Sequence, residues 1–180
     1  MQLTWSHMVM YVYNLDDMLD FYTRILGFEV TDRGEVAGPG SPELIFMGQV
    51  ATDHHQFAML PIRESVEASN SVNHVAFRVA GIGDVREMIQ RLETDGRATD
   101  RNPLCHGNAW SIYFQDPENN GIEVFCDTPF HVRQPQGKAW DPAWSDEELL
   151  AWTEREFSDQ PEFGPIDEYY ARRAKELANK

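Results

Sequence analysis

The chain has few cysteines, few basic residues and no long apolar run. Only Cys105 and Cys126 occur among its 180 residues. Two cysteines cannot make a disulfide framework, and their spacing is not that of a structural zinc site, so two free thiols are expected. Fifteen Lys and Arg stand against 30 Asp and Glu, a formal net charge of −15. No basic stripe offsets this. A surface of that sign repels phosphate backbones, which argues against nucleic acid as a partner. No apolar run approaches the roughly 20 residues that span a bilayer. The chain opens on strand-like Leu3-Thr4-Trp5 in place of a basic segment followed by an apolar one. No membrane partner and a cytoplasmic location are therefore expected. At this length the chain can bury one substantial core, or two small halves that share one.

What is present centres on Cys105 to Phe125. Trp110 to Gln115 and Gly121 to Phe125 read as strands joined by Asp116-Pro117 and Asn119-Asn120-Gly121, the residues that turns require, so this stretch predicts a hairpin. Alternation puts Glu123 on the face opposite Ile122 and Val124, where a buried carboxylate needs a partner. His7 and His74 lie in similar strand contexts. Two histidines and one carboxylate on strands point to a metal.

In chain order, Thr4 to Tyr13 reads as a strand rich in β-branched and aromatic types. Asn14 caps a helix over Leu15 to Leu26 that ends at Gly27. Strands follow at Phe28 to Arg33, Glu43 to Met47 and His54 to Ile62, with a Gly/Pro loop at Gly34 to Pro42. The same β-α-β-β-β order then restarts. Placing His74 on His7 lays N-H-V-A-F-R-V-A over S-H-M-V-M-Y-V-Y, and a second helix falls at Gly83 to Thr94. Two copies of a unit that cannot bury its sheet face alone should pair. The expected fold is α+β: two paired βαβββ modules, about residues 3–63 and 71–127, forming a cup-shaped mixed sheet, with a C-terminal helical extension over 128–180.

The extension carries Pro129, Pro135 and Pro142, a capping box at Ser145 to Glu148 opening a helix to about Phe157, and a last helix over about Ile166 to Asn179. Its tryptophans and tyrosines need a surface to bury against. Phe130 to Trp144 leaves the sheet just after Glu123 and is expected to cover the mouth of the cup. The alternative is a structural role, packed outside the sheet or on a second subunit.

Over residues 3 to 127 the chain resembles the vicinal oxygen chelate superfamily (glyoxalase, bleomycin resistance, dioxygenase), and within it the metal-binding half of type I extradiol ring-cleavage dioxygenases. The resemblance implies Fe(II) held by His7, His74 and Glu123, a facial triad that leaves open sites for a small aromatic diol and O2. It further implies catalytic roles for His55, as acid/base beside O2, and for Tyr113, as a hydrogen-bond partner of substrate. His106, in His106-Gly107, matches less closely. For His55 the alternatives are an ordinary buried histidine or a fourth ligand of the glyoxalase kind, with Gln56 next door. His54 is expected at the surface, and His131 at the pocket rim or surface. Val9 stands where some extradiol enzymes carry a polar substrate contact, and their non-catalytic N-terminal module pair has no counterpart here. The rival expectations are a glyoxalase-like isomerase or lyase using Mn, Ni or Zn, and a non-enzymatic binding protein of the bleomycin-resistance kind. A homo-oligomer, dimer or larger, is the expected assembly.

Overall fold

The computed structural model describes residues 4–67 and 71–179. The chain forms two compact units: Met1–Asn73 with Asp95–Thr99 and Gln115–Asn120, and His74–Thr94 with Asp100–Phe114 and Gly121–Lys180.

In the first unit, β1 (Met8–Tyr11), α1 (Leu15–Asp20), β2 (Glu29–Glu35), β3 (Glu43–Gly48) and β4 (Phe57–Leu60) follow in order. The strands form one sheet, ordered β1-β4-β3-β2, with β1 parallel to β4 and the other pairs antiparallel. The Asn14 side chain accepts from Asp17 N and starts α1. The Glu118 carboxylate also accepts from Tyr13 N and Asn14 N, at 2.8 and 2.7 Å, placing negative charge at the helix N-terminus. The expected helix to Leu26 changes character at Phe21. Phe21–Ile25 is a π-helical turn, with Leu26 N bonded to Phe21 O, and it buries Phe21, Tyr22 and Ile25 together. Gly27, at φ +80°, then reverses the chain. Both strands that bear histidines are shorter than expected. The ladder of β1 with β4 runs only from Met8 opposite Phe57 to Tyr11 opposite Leu60, so His7 precedes β1, and His54 and His55 lie in the bend before β4.

The second unit repeats the order with β5 (Val75–Arg78), α2 (Ile82–Asp95), β6 (Thr99–Cys105), β7 (Ala109–Gln115) and β8 (Gly121–Asp127). Its sheet runs β6-β7-β8-β5, with β5 parallel to β8. This is the order of the first sheet with each strand replaced by its repeat equivalent. The extension adds β9 (Phe130–His131), β10 (Lys138–Ala139), α3 (Asp146–Phe157), β11 (Gly164–Pro165) and α4 (Ile166–Ala178). None of these short strands was expected, and β10 pairs antiparallel with β6 as a fifth strand. The capping box is present: Ser145 accepts from Glu148 N and donates its own N–H to the Glu148 carboxylate, which holds that carboxyl below its usual range. Val132, Trp140, Leu149 and Phe157 of the extension are buried. Of the segment expected as a cover, Val132 and Trp140 are packed into this unit's core, while Arg133, Gln134 and Pro135 are exposed. His131 is not at a rim: it is buried, stacked on Tyr169 with ring centroids 3.8 Å apart.

Candidate functional site

Glu123, on β8, is 7% exposed and has its partners. Ser111 on the neighbouring β7 donates to its Oε1 at 2.6 Å, and His74 Nε2 lies 3.3 Å from its Oε2. Ala76 registers opposite Glu123, and His74, expected on this strand, lies just before β5. An imidazole lone pair 3.3 Å from a carboxylate oxygen is repulsive unless a proton or a cation lies between them. Two ligands of one metal, each about 2.1 Å from it, approach one another about this closely. The pair thus fits a divalent cation of the imidazole-carboxylate kind.

Tyr113 shares the Ser111 face of β7. Its ring meets the His74 ring edge-on, centroids 5.3 Å apart, and its hydroxyl lies 3.0 Å from His106 Nε2. Burial, followed by the Glu123 carboxylate, raises the Tyr113 pKa, so the phenol keeps its proton at neutral pH. His106 Nδ1 lies 2.5 Å from the Gln136 carbonyl of the extension. The loop that carries His106 is tightly built. Gly107 has φ +78°, and a Cβ there would come within 2.4 Å of Val132 Cγ1. Thr128 Oγ1 donates to the Gly107 carbonyl, Trp110 Nε1 to Thr153 Oγ1, and Trp140 Nε1 to the Ser111 carbonyl, at 2.6, 2.9 and 3.1 Å. Cys105, beside this loop, is a buried free thiol with its pKa pushed up to about 11 by desolvation, and Cys126 is raised to about 12 by the same cause.

In the first unit, His7 is exposed and lies ring to ring with His55, centroids 4.3 Å apart. Ser6 Oγ is 3.0 Å from His7 Nδ1. Desolvation, then the neighbouring His7 and His54, lowers the His55 pKa. The His55 ring stands edge-on to Phe46 at 4.8 Å. His54 is exposed, 3.6 Å from Asp32. Gln56 is not poised as a ligand, because its Oε1 accepts from Gln49 N at 2.9 Å.

The expected site residues therefore form two groups, His7 with His55, and His74, Glu123, Tyr113 and His106. Among the described residues no three His, Cys, Asp or Glu side chains are gathered in a metal-binding group. Sequence reasoning missed Ser111 and the extension residues Gln134, Gln136 and Trp140. A hydroxyl two residues before Tyr113, on a strand otherwise apolar to Phe114, was a usable signal for Ser111. A backbone carbonyl such as that of Gln136 gives none.

The family model described as Glyoxalase/Bleomycin resistance protein/Dioxygenase superfamily matches residues 4–124. Biphenyl-2,3-diol 1,2-dioxygenase 2 of Rhodococcus globerulus is 25% identical over 166 residues, covering 83% of this chain and 83% of that protein. Metapyrocatechase 2 of Cupriavidus necator is 26% identical over 177 residues, and the match covers 93% of this chain but 46% of that protein. Among solved structures, the fosfomycin resistance protein FosX of Listeria monocytogenes aligns with TM-score 0.57 at 22% identity, over 71% of this chain and 96% of that one. A glyoxylase/bleomycin resistance protein/dioxygenase domain from Frankia sp. EAN1pec aligns with TM-score 0.57 at 18% identity, over 71% and 100%. The two structures share the fold. With the family model running from the segment before β1 into the strand that carries Glu123, the chain belongs to the Glyoxalase/Bleomycin resistance protein/Dioxygenase superfamily.

Proposed function

We propose that the protein is an Fe(II)-dependent extradiol dioxygenase, opening a catechol-type ring beside its two hydroxyls with O2. The observation that carries this reading is the His74–Glu123 pair at 3.3 Å, with Tyr113 and His106 beside it. The dioxygenase names of the relatives support it. His74 and Glu123 would hold the metal, with His7 as the third ligand. Fe(II) is the proposed metal, and Mn, Ni and Zn are the alternatives. When bound, the ion supplies adjacent open sites for both catechol oxygens and for O2.

The chain's own residues do the rest. Ser111 fixes the Glu123 carboxylate through its 2.6 Å hydrogen bond, so the orientation of this ligand is set before a metal arrives. Tyr113 holds a substrate oxygen through its hydroxyl, with His106 Nε2 beside it. His55, packed against His7, serves as the acid/base in proton transfer. Apolar side chains near the site receive the ring.

The test is anaerobic reconstitution with Fe(II), followed by O2 consumption with a panel of catechols and detection of a yellow ring-opened product. His55→Ala should keep its iron and lose turnover. If that variant loses metal instead, the four-ligand, glyoxalase-like arrangement is favoured. Unchanged iron content in the His7, His74 and Glu123 alanine variants would place the metal elsewhere.

A further inference from the structure

Beyond the Thr128 contacts, the segment after β8 is fastened to the His106 loop by the side chain of Gln134. Gln134 Nε2 donates to the His106 carbonyl at 2.8 Å and to Asn108 Oδ1 at 3.0 Å, while Gln134 Oε1 accepts from Gln136 N at 3.0 Å. One amide thus joins the backbone of the His106 loop to the backbone of Gln136. The product of that joint is the 2.5 Å approach of the Gln136 carbonyl to His106 Nδ1. A carbonyl oxygen only accepts, so Nδ1 carries the proton. In the neutral ring, Nε2 then presents a lone pair to the Tyr113 hydroxyl 3.0 Å away. The hydroxyl has a second acceptor in the Glu123 carboxylate, so the joint fixes the His106 tautomer and not the direction of the Tyr113 hydrogen.

We infer that Gln134 is a positioning residue: it fixes the Nδ1–H form of His106 and so keeps the Nε2 lone pair turned toward the Tyr113 hydroxyl. The expected effect on turnover rests on the dioxygenase reading. The tautomer does not.

The experiment uses the full-length, 15N-labelled, metal-free protein and reads the ring nitrogens of His106 by long-range 1H–15N correlation, assigned by their loss in His106→Gln. In the unsubstituted protein Nδ1 should appear protonated and Nε2 unprotonated. Gln134→Leu should convert this single form into an average of both tautomers. Gln134→Glu, which keeps the acceptor for Gln136 N and loses the donor to the His106 carbonyl, should fall between. Gln134 is exposed, which favours a folded variant, and the Glu variant supplies the comparison if the Leu variant does not fold. After Fe(II) loading, Gln134→Leu should lower kcat by about 10-fold at unchanged iron content. A protonated Nε2 in the unsubstituted protein, or a Gln134→Leu protein with the same tautomer and the same kcat, overturns the inference. If the loaded, unsubstituted protein consumes no O2 with any catechol, the dioxygenase reading fails while the ring-nitrogen measurement still decides the role of Gln134.

Discussion

The two units repeat one strand order and hold their candidate site side chains by different means. In the first unit, His7 and His55 lie at the open end of a four-residue strand and in a bend, with a serine hydroxyl and ring contacts around them. In the second, Glu123 is fixed by Ser111, Tyr113 by His106, and His106 by the Gln136 carbonyl. The difference comes from the residues after Asp127, which bury Val132, Trp140, Leu149 and Phe157 and send hydrogen bonds to the His106 loop and to β7. A duplicated topology therefore repeats the positions of His7 and His74 and does not repeat the hydrogen bonds around them. Rigidity is supplied locally, here by chain added to one copy.

The largest effect expected from this contrast is that of removing the added chain. Truncation after Asp127 should unfold the second unit, because Trp110 Nε1 loses Thr153 and the core loses four large apolar side chains. Near-UV circular dichroism and amide exchange resolved by segment would show it. A truncated protein that keeps native exchange protection in β7 and β8 would break the contrast.

A smaller effect sharpens it by comparing two glycines. Gly107 and Gly27 both have positive φ, +78° and +80°. Alanine at Gly27 meets only Gln49 Nε2 at 3.7 Å, whereas at Gly107 it meets Val132 Cγ1 at 2.4 Å. Gly27→Ala should cost about 1–2 kcal/mol for the left-handed backbone alone. Gly107→Ala adds an overpacking cost, for a total of roughly 2–5 kcal/mol. Urea denaturation of both variants measures the difference.

The third effect concerns acid. The first unit contains an ion cluster in which Arg97, and then Arg24, hold the Asp95 carboxyl down to about 2. A folded-state pKa below the unfolded value of about 3.9 contributes stability that is complete above pH 4 and is lost as pH falls through 2. The loss is at most about 3 kcal/mol. The second unit has lowered carboxyls of its own at Glu148, Glu156 and Glu162, all in the extension, whereas the indole-to-hydroxyl and amide-to-carbonyl bonds around β7 and the His106 loop do not titrate in that range. Lowering the pH from 4 to 2 should therefore release the α1 amides to exchange before the Trp110 and Trp140 indole N–H groups. Simultaneous release would erase the distinction between the units.

Much of this could be read from the residues. The hairpin followed from Asp-Pro and Asn-Asn-Gly, the helix at Ser145 from its capping box, and the repeat from the restart at His74, because each of these signals is local. The π-helical turn at Phe21 could not be read, since its hydrophobic spacing is also that of an ordinary helix end. The placement of His54 and His55 in a bend was hidden for a related reason: strand length is set by the partner strand, and β-propensity alone ran on past it. The bracing of His106 runs through backbone carbonyls and an exposed glutamine, and neither residue type announces a role.

The distribution of tryptophan has a spectroscopic consequence. Of the five indoles, Trp5 alone belongs to the first unit and is 83% exposed, while Trp110 and Trp140 are buried with their N–H groups bonded, and Trp144 and Trp152 lie against one another in the extension. The blue-shifted part of the intrinsic emission therefore belongs to the second unit. A shift of that emission to longer wavelength reports the loosening of the unit that holds Glu123, and opening of the first unit alone leaves it nearly unchanged.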